Sequence, residues 1–454
     1  MYKKLKFIIG LLLICGIIEC AYVGCEMKLG SAGKTDTNIA DVNEVKSSSN
    51  DESEKIGKII NAVIPSNSSS SSFIIDENNT LYAAGANTGY RLGLNCSESK
   101  NIDIYTKVMD NVKEVSSCSY WTLVLDLNNT LYGIGSDIIY DNSDVEAELW
   151  NPIKLMGNVR AIYANDFLSL IINDDDELYV MGDGLAEMGI ETRKAYKPYK
   201  LMEDVNIAKV VGRNIAVVDN EGNGYVWGYN YNSLLGKSKD NFQKVPQKIL
   251  GNVRDIEVSS KEGFYSDVYF ITNENELYVL GSNGDGQLGT GDMEDVIEPI
   301  WVMDNIAQVY PGSLFTMALS TDGILYGAGN TYSMGIGEIT LASYFFELME
   351  NVRDVKISGT NSYIITNDNE LYVAGSNASG QLGTGDKEEI TGGEPLYILD
   401  DVKDVAVSRQ VGYGSYAIVV KNDGSICSAG ANEFGQLGLV SKEEVLKFTK
   451  VELK

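Results

Sequence analysis

The chain has 454 residues, 64 of them acidic and 36 basic, for a formal net charge of −28 and a sequence pI of about 4.4. Such a charge repels nucleic-acid phosphates and excludes sequence-independent binding to DNA or RNA. Histidine is absent altogether, which removes imidazole catalysis and the commonest ligand for zinc or copper.

In chain order, residues 1–24 read as a signal peptide. MYKKLK carries three lysines, and the apolar run Phe7 to Ile18 that follows is short for a membrane span. Gly24-Cys25 then resembles the lipobox of bacterial lipoproteins, which implies lipidation at Cys25. Tyr22 stands where that pattern prefers Leu, and Glu19 separates the apolar run from the cysteine. Plain secretion and an uncleaved anchor fit the same segment. Residues 25–57 are rich in Ser, Asp, Glu, Lys and Asn (KSSSNDESEK, 46–55) and cannot bury enough apolar surface to fold, so they read as a disordered tether. Beyond it lie three cysteines, Cys96, Cys118 and Cys427. The odd number leaves at least one without a partner in the chain. All three read as small buried or half-buried residues, and spacing leaves a Cys96–Cys118 pairing open.

From residue 58 the chain repeats. LYVLGSNGDGQLGTGD (277–292) has a near copy, LYVAGSNASGQLGTGD (371–386), and shorter versions begin at Leu81, Leu131, Leu178, Tyr225, Leu325 and Ile426. The central glycines are Gly85, Gly135, Gly182, Gly228, Gly281, Gly329, Gly375 and Gly430, at intervals of 46 to 55 residues. Each unit holds four short apolar runs, exemplified by YTKVM, VKEVSS, TLVLDL and LYGIG between Tyr105 and Gly135. An Asp-, Asn- or Gly-rich turn separates the last two runs, and a second short turn of the MDNV type precedes VKEVSS. Both suit tight hairpins, because these residues tolerate positive φ. Four strands per unit, repeated eight times, make an all-β propeller in residues 58–454. The run 58–63 lacks the segment that precedes it in the other units, and FTKVELK has none after it. The expectation is therefore that the two termini pair and close the ring.

These repeats resemble those of the regulator of chromosome condensation family over essentially the whole of residues 58–454. The resemblance implies a β-propeller, usually of seven blades, where this chain counts eight. The family places His-Ser at the start of the strand before the Asp-Gly turn. Here those sites read YWT (120–122), FLS (167–169), NIA (214–216), FTM (315–317) and SYA (415–417). The exchange activity of the family's nuclear members on a small GTPase is therefore not carried over.

Glycine loops that bind phosphate precede a helix with a Lys or an open N-terminus, and these loops are acidic with no helix pattern after them. Asn283, Asp285 and Asp292 look faintly like a calcium loop, but the terminal bidentate Glu is missing, so the motif reads as a structural turn and no metal site is assigned.

Alternate connections of a four-stranded meander lie on opposite sides. The tight turns share one side, and the longer, aromatic connections share the other. The long set includes PSNSSSSS (65–72), CSYW (118–121), ANDF (164–167), SSKEGFYSD (259–267), PGSLF (311–315) and SRQVGYGS (408–415), with Tyr90, Tyr140, Trp150, Tyr229, Tyr231, Tyr332, Tyr344, Phe345 and Phe346 from the companion set. Trp227 reads as core. The expected partner-binding residues are Tyr120, Trp121, Asp166, Phe167, Arg213, Phe264, Tyr265, Phe315, Arg409 and Tyr413, since aromatics and Arg on loops bring contact area at low entropic cost. The function read from this is a cell-surface or secreted protein-binding module. It is a monomeric propeller with no catalytic residue, no cofactor and membrane contact only through its N-terminal anchor. The alternatives are a glycan-active enzyme using Asp166, Glu262 or Asp267 as paired carboxylates, and a structural surface component.

Overall fold

The computed structural model describes residues 56–453 except 66–69, 95–99, 136–137, 139–150, 191–193, 231–241, 262–264, 335–339, 392 and 409–413. The signal peptide, nearly all of the tether, Cys25 and Cys96 lie outside the described residues. Eight four-stranded antiparallel sheets follow one another along the chain, each built from four consecutive strands. In blade 2 these are Val112–Ser117, Thr122–Asp126, Leu131–Ile134 and Ile153–Met156, paired in that order. The first strands of neighbouring blades approach one another, so they lie innermost. The second strand is buried along almost its whole length, as in LSLIIN (168–173) and NSYIIT (361–366). A blade covered on both faces by its neighbours needs such unbroken apolar runs, whereas a half-exposed sheet would alternate. Each core cluster accordingly spans two blades: Phe73, Ile75 and Leu81 of blade 1 pack with Val112, Val115 and Val124 of blade 2.

The repeated glycines end the third strand. All eight have φ between 103° and 130°. A Cβ on Gly85, Gly182 or Gly375 would sit 2.4, 2.1 or 2.0 Å from a backbone carbonyl oxygen at the start of the second strand. Both tight-turn series also carry left-handed residues, as the Asp/Asn content predicts: Asn79, Asn129, Asp176, Asn275 and Asn369 in one, and Asn111, Asn158, Asp204, Asn252, Asn305, Asn351 and Asp401 in the other.

The second series corrects the hairpin reading. The MDNV-type turn does not join two strands of one sheet. It joins the outer strand of one blade to the inner strand of the next. YTKVM therefore belongs to Ile102–Met109, the outer strand of blade 1, and pairs with Leu81–Gly85. A repeat period is the same wherever the unit is cut, so periodicity does not fix the phase.

Ring closure is corrected for the same reason. Ile59–Val63 pairs with Ser71–Asp76, and Val445–Lys450 pairs with Ile426–Gly430, so each chain end completes its own blade. Closure instead repeats the contact made at every other seam. In each, the first amide of an inner strand donates to a turn carbonyl of the preceding blade: Val112 N to Asn79 O (2.8 Å), Val159 N to Asn129 O (2.8 Å), and so on round to Ile59 N to Gly424 O (2.9 Å). Lys403 Nζ likewise donates to Ile60 O (3.0 Å), as Arg353 Nη2 does to Val402 O (3.2 Å) one seam earlier.

The outer strands are open edges, and two devices blunt them. Five of the 7 prolines, Pro152, Pro198, Pro246, Pro299 and Pro395, stand six residues before the left-handed turn residue, where they remove an edge donor. Tyr105, Phe345 and Phe448 hold the equivalent place in blades 1, 6 and 8. There the ring packs on Gly438, Gly289 or Gly383 of the preceding blade's GQLG loop, where a Cβ would lie 2.3 to 2.4 Å from the ring. The loop then bonds the edge itself, Gly291 N to Ser343 O (2.6 Å) and Gly385 N to Leu446 O (2.7 Å). Phe345 and Phe346 are thus half-buried blade contacts and Tyr344 is exposed on the outer rim, not on the loop face.

Cys118 is buried and unbridged, with Sγ donating to Trp121 O (3.5 Å), and burial pushes its thiol up to about 12. Cys427 is half-buried and shifted the same way by the same cause. Because the thiolate is the nucleophile, iodoacetamide at pH 8 is expected to modify Cys118 only after unfolding. Rapid alkylation of Cys118 in the native protein, read by peptide mass mapping, would contradict this packing.

Candidate protein-binding face

The repeat strands fix two faces. Connections from first to second strand and from third to fourth strand share one of them, and the tight turns share the other. On the loop face, the GQLG loops close on their own side chains. Asn283 Oδ1 accepts Leu288 N (3.0 Å), Asn283 Nδ2 donates to Thr290 Oγ1 (2.8 Å) and Asp292 O (3.1 Å), and Gln287 Oε1 accepts Asp285 N (3.0 Å). The copy at Asn377–Thr384 repeats this. Leu288 and Leu382 anchor each loop in the core. The motif is therefore a self-satisfied turn.

Four of the expected residues converge across blades 2 to 4. Tyr120 is 56% exposed and Phe167 39% exposed. Arg213 lies over the Phe167 ring at 5.2 Å from its centroid, a cation–π contact between blades 3 and 4. Asp166 is half-buried and ties blade 3 to blade 2: Oδ1 accepts Ser119 N (2.9 Å) and Oδ2 accepts Ser119 Oγ (3.3 Å). Ala164 N donating to Ser116 Oγ (2.8 Å) adds a second tie. The arrangement holds two exposed rings and a cation on rigid, mutually bonded loops, so little side-chain freedom is lost when something docks there.

Two expected residues are not on the face. Trp121 is 1% exposed; it packs edge-on to Tyr196 at 5.4 Å, and its Nε1 donates to Ser169 Oγ (2.8 Å) in blade 3. Phe315 is fully buried. Phe315 opens the second strand of blade 6 and Trp121 immediately precedes that of blade 2, and both turn inward against the neighbouring blade; within CSYW, Tyr120 is out and Trp121 in. Tyr265 opens the strand Tyr265–Thr272. Phe264, Arg409 and Tyr413 lie outside the described residues, as do Glu262, Tyr140, Trp150 and Tyr231. Trp227 is core, as expected. Asp267, weighed as a loop carboxylate, is buried in its strand, where it accepts Ser259 Oγ (3.0 Å) and Ser282 N (3.0 Å).

Sequence reasoning missed Arg91 and Ser119. Arg91 Nη1 donates to Ser119 O (2.8 Å), carrying the chain of contacts into blade 1. The signal was present in NTGYRLG, where Tyr90-Arg91 replaces the Gly-Gln of the three GQLG loops.

No family model matches the chain. It is 29% identical over 227 residues to the ultraviolet-B receptor UVR8 of Arabidopsis thaliana, covering 47% of this chain and 50% of the relative. It is 22% identical over 327 residues to protein pim1 of Schizosaccharomyces pombe, covering 64% of this chain and 60% of the relative. The chain thus spans half to three-fifths of the length of these curated relatives. Among solved structures, Prp20p of Saccharomyces cerevisiae superposes with a TM-score of 0.53 at 16% identity, over 82% of this chain and 85% of that one. The yeast RCC1 (Prp20) bound to Kap60 gives 0.53 at 15% identity, over 94% and 91%. This chain has the fold of the RCC1-like β-propellers.

Proposed function

We propose that this RCC1-like propeller is an exported binding module, held at the cell surface through Cys25, that captures a protein partner on the loop face of blades 2 to 4. The observation that carries this is the stacked Phe167–Arg213 pair and the exposed Tyr120, whose neighbours in sequence, Asp166 and Ser119, are bonded to each other. Exposed aromatics flanked by an Arg on pre-organised loops are the composition of interface hot spots. The likeness to Prp20p, whose structure is described with its binding to Gsp1p and histones, supports a protein-binding role. The export reading rests on the apolar run Phe7 to Ile18 and on Gly24-Cys25.

The test is a pull-down from surface extracts with the full chain, with Tyr120→Ala/Phe167→Ala/Arg213→Ala, and with Asp322→Ala on the opposite, tight-turn face. Tyr120 and Phe167 are exposed and Arg213 half-buried, so the substitutions are expected to leave the fold intact, Tyr120→Ala changing stability by less than about 0.5 kcal/mol. A protein retained by the wild type and by Asp322→Ala, and lost at least about tenfold by the triple variant, is the expected outcome. Equal capture by all three sinks the reading. Metabolic labelling with a palmitate analogue, lost on Cys25→Ser, tests the anchor separately.

A further inference from the structure

Arg91 is 6% exposed, and its surroundings do not account for its charge. One guanidinium nitrogen, Nη1, bonds Ser119 O, while Nε, buried with it, has no acceptor. No carboxylate forms an ion pair with it among the described residues. The charged or titratable groups it feels are Tyr416, Cys118 and Asp166. Burial keeps the Tyr416 phenol and the Cys118 thiol neutral. Asp166 is the one carboxyl group of the three, and its oxygens accept from Ser119 N and Oγ. A buried cation left in this way is costly.

The sister loops show that the fold does not require it. Gln287, Gln381 and Gln436 hold the same place, and each closes its loop by accepting a backbone N–H through Oε1. An arginine has no acceptor and cannot make that bond. Its predecessor Tyr90 also sits at φ 60°, where the sister loops have Gly286, Gly380 and Gly435. Two consecutive residues thus give up local stability at a point that touches the loop face.

We propose that Arg91 is a carboxylate-receiving point at the blade 1–2 edge of this face, which takes an Asp or Glu side chain of the protein partner. This rests on the binding-face reading above and sharpens it. A guanidinium gives a carboxylate charge-assisted hydrogen bonds, and that of Arg91 is bonded within the described residues at Nη1 alone. It also gives a strongly acidic protein a specific way to accept an acidic group, through one desolvated cation rather than through its overall field.

The test is thermal unfolding of the full chain with N-acetylglutamate or N-acetylglutamine at constant ionic strength, for wild type, Arg91→Gln and Arg91→Lys. The wild-type midpoint is expected to rise with N-acetylglutamate concentration, as binding to the folded state alone requires, and to ignore N-acetylglutamine. The apparent affinity should fall about tenfold or more in Arg91→Gln and by less in Arg91→Lys, which keeps the charge but not the fork. Without ligand, Arg91→Gln should melt no lower than wild type. Equal responses to both compounds, or a wild-type response in Arg91→Gln, overturns the proposal. So does an Arg91→Gln protein that melts well below wild type while wild type shows no response to N-acetylglutamate, since Arg91 is then a strut. If the pull-down partner is lost on changing Tyr120 and Phe167 but binds Arg91→Gln unchanged, the face stands and the carboxylate point falls.

Discussion

Replacing Gly375 by alanine is expected to destabilise the protein by about 4 kcal/mol, whereas the same change at Gly291 costs about 1 kcal/mol. Both glycines have positive φ, 110° and 95°. A Cβ at 291 meets nothing within 4 Å, so only the backbone conformation is penalised. A Cβ at 375 would lie 2.0 Å from Thr360 O and 2.9 Å from Asn361 Cα, both rigid backbone atoms of the adjoining strand. Relief requires the second and third strands of blade 7 to part, and Gly375 is itself paired with Asn361. Urea unfolding of the two variants measures the difference. Equal losses would show that φ alone selects these glycines and that the close approach is not a constraint.

Stability is expected to fall as pH rises from about 4 to 7, and Asp267→Asn to remove part of that fall. Asp267 is fully enclosed in blade 5, and burial raises its carboxyl from 3.8 to about 7. Between those values the folded state holds a proton that the unfolded state has released. The folded state is therefore favoured at low pH and progressively loses that advantage up to about pH 7, above which the loss is complete. At about 1.4 kcal/mol for each pH unit, the total is about 4 kcal/mol. Blade 7 supplies a natural control. Asn361, in the same register against the repeat glycine, is neutral and donates Nδ2 to Ser376 O (2.9 Å). Asp267→Asn should therefore fold, and its advantage over wild type should grow from pH 4 to 7 and then level off. Parallel stability curves from pH 4 to 9 would show that the carboxyl ionises without penalty, through water or a rearranged Gln287.

The two predictions depend on different amounts of sequence information. Gly375 belongs to a set of eight that spacing alone identified, and its role follows from the pattern LYxxG. Asp267 was legible only as an acid near a long aromatic connection. That it faces inward, with Ser259, Ser282 and Gln287 closing on it, depends on where the strand Tyr265–Thr272 begins. Trp121 and Phe315 failed in the same way. A second strand takes up its pairing within one residue of the loop, and because side chains alternate, that residue decides between face and core.

The sequence by itself determined the all-β class, the eight four-stranded units, the left-handed turn positions and the existence of a loop face. These follow from local chemistry: Asn, Asp and Gly accept positive φ, apolar runs of five or six residues form buried strands, and a meander places alternate connections on opposite sides. Only the tertiary structure decided where each unit begins, how the ring closes, and which loop residues stand outward. Those depend on contacts between residues far apart in the chain, such as Ile59 with Gly424 and Ser119 with Asp166. A periodic sequence cannot specify them, because every cut through an identical repeat predicts the same local strands and turns while assigning them to different neighbours.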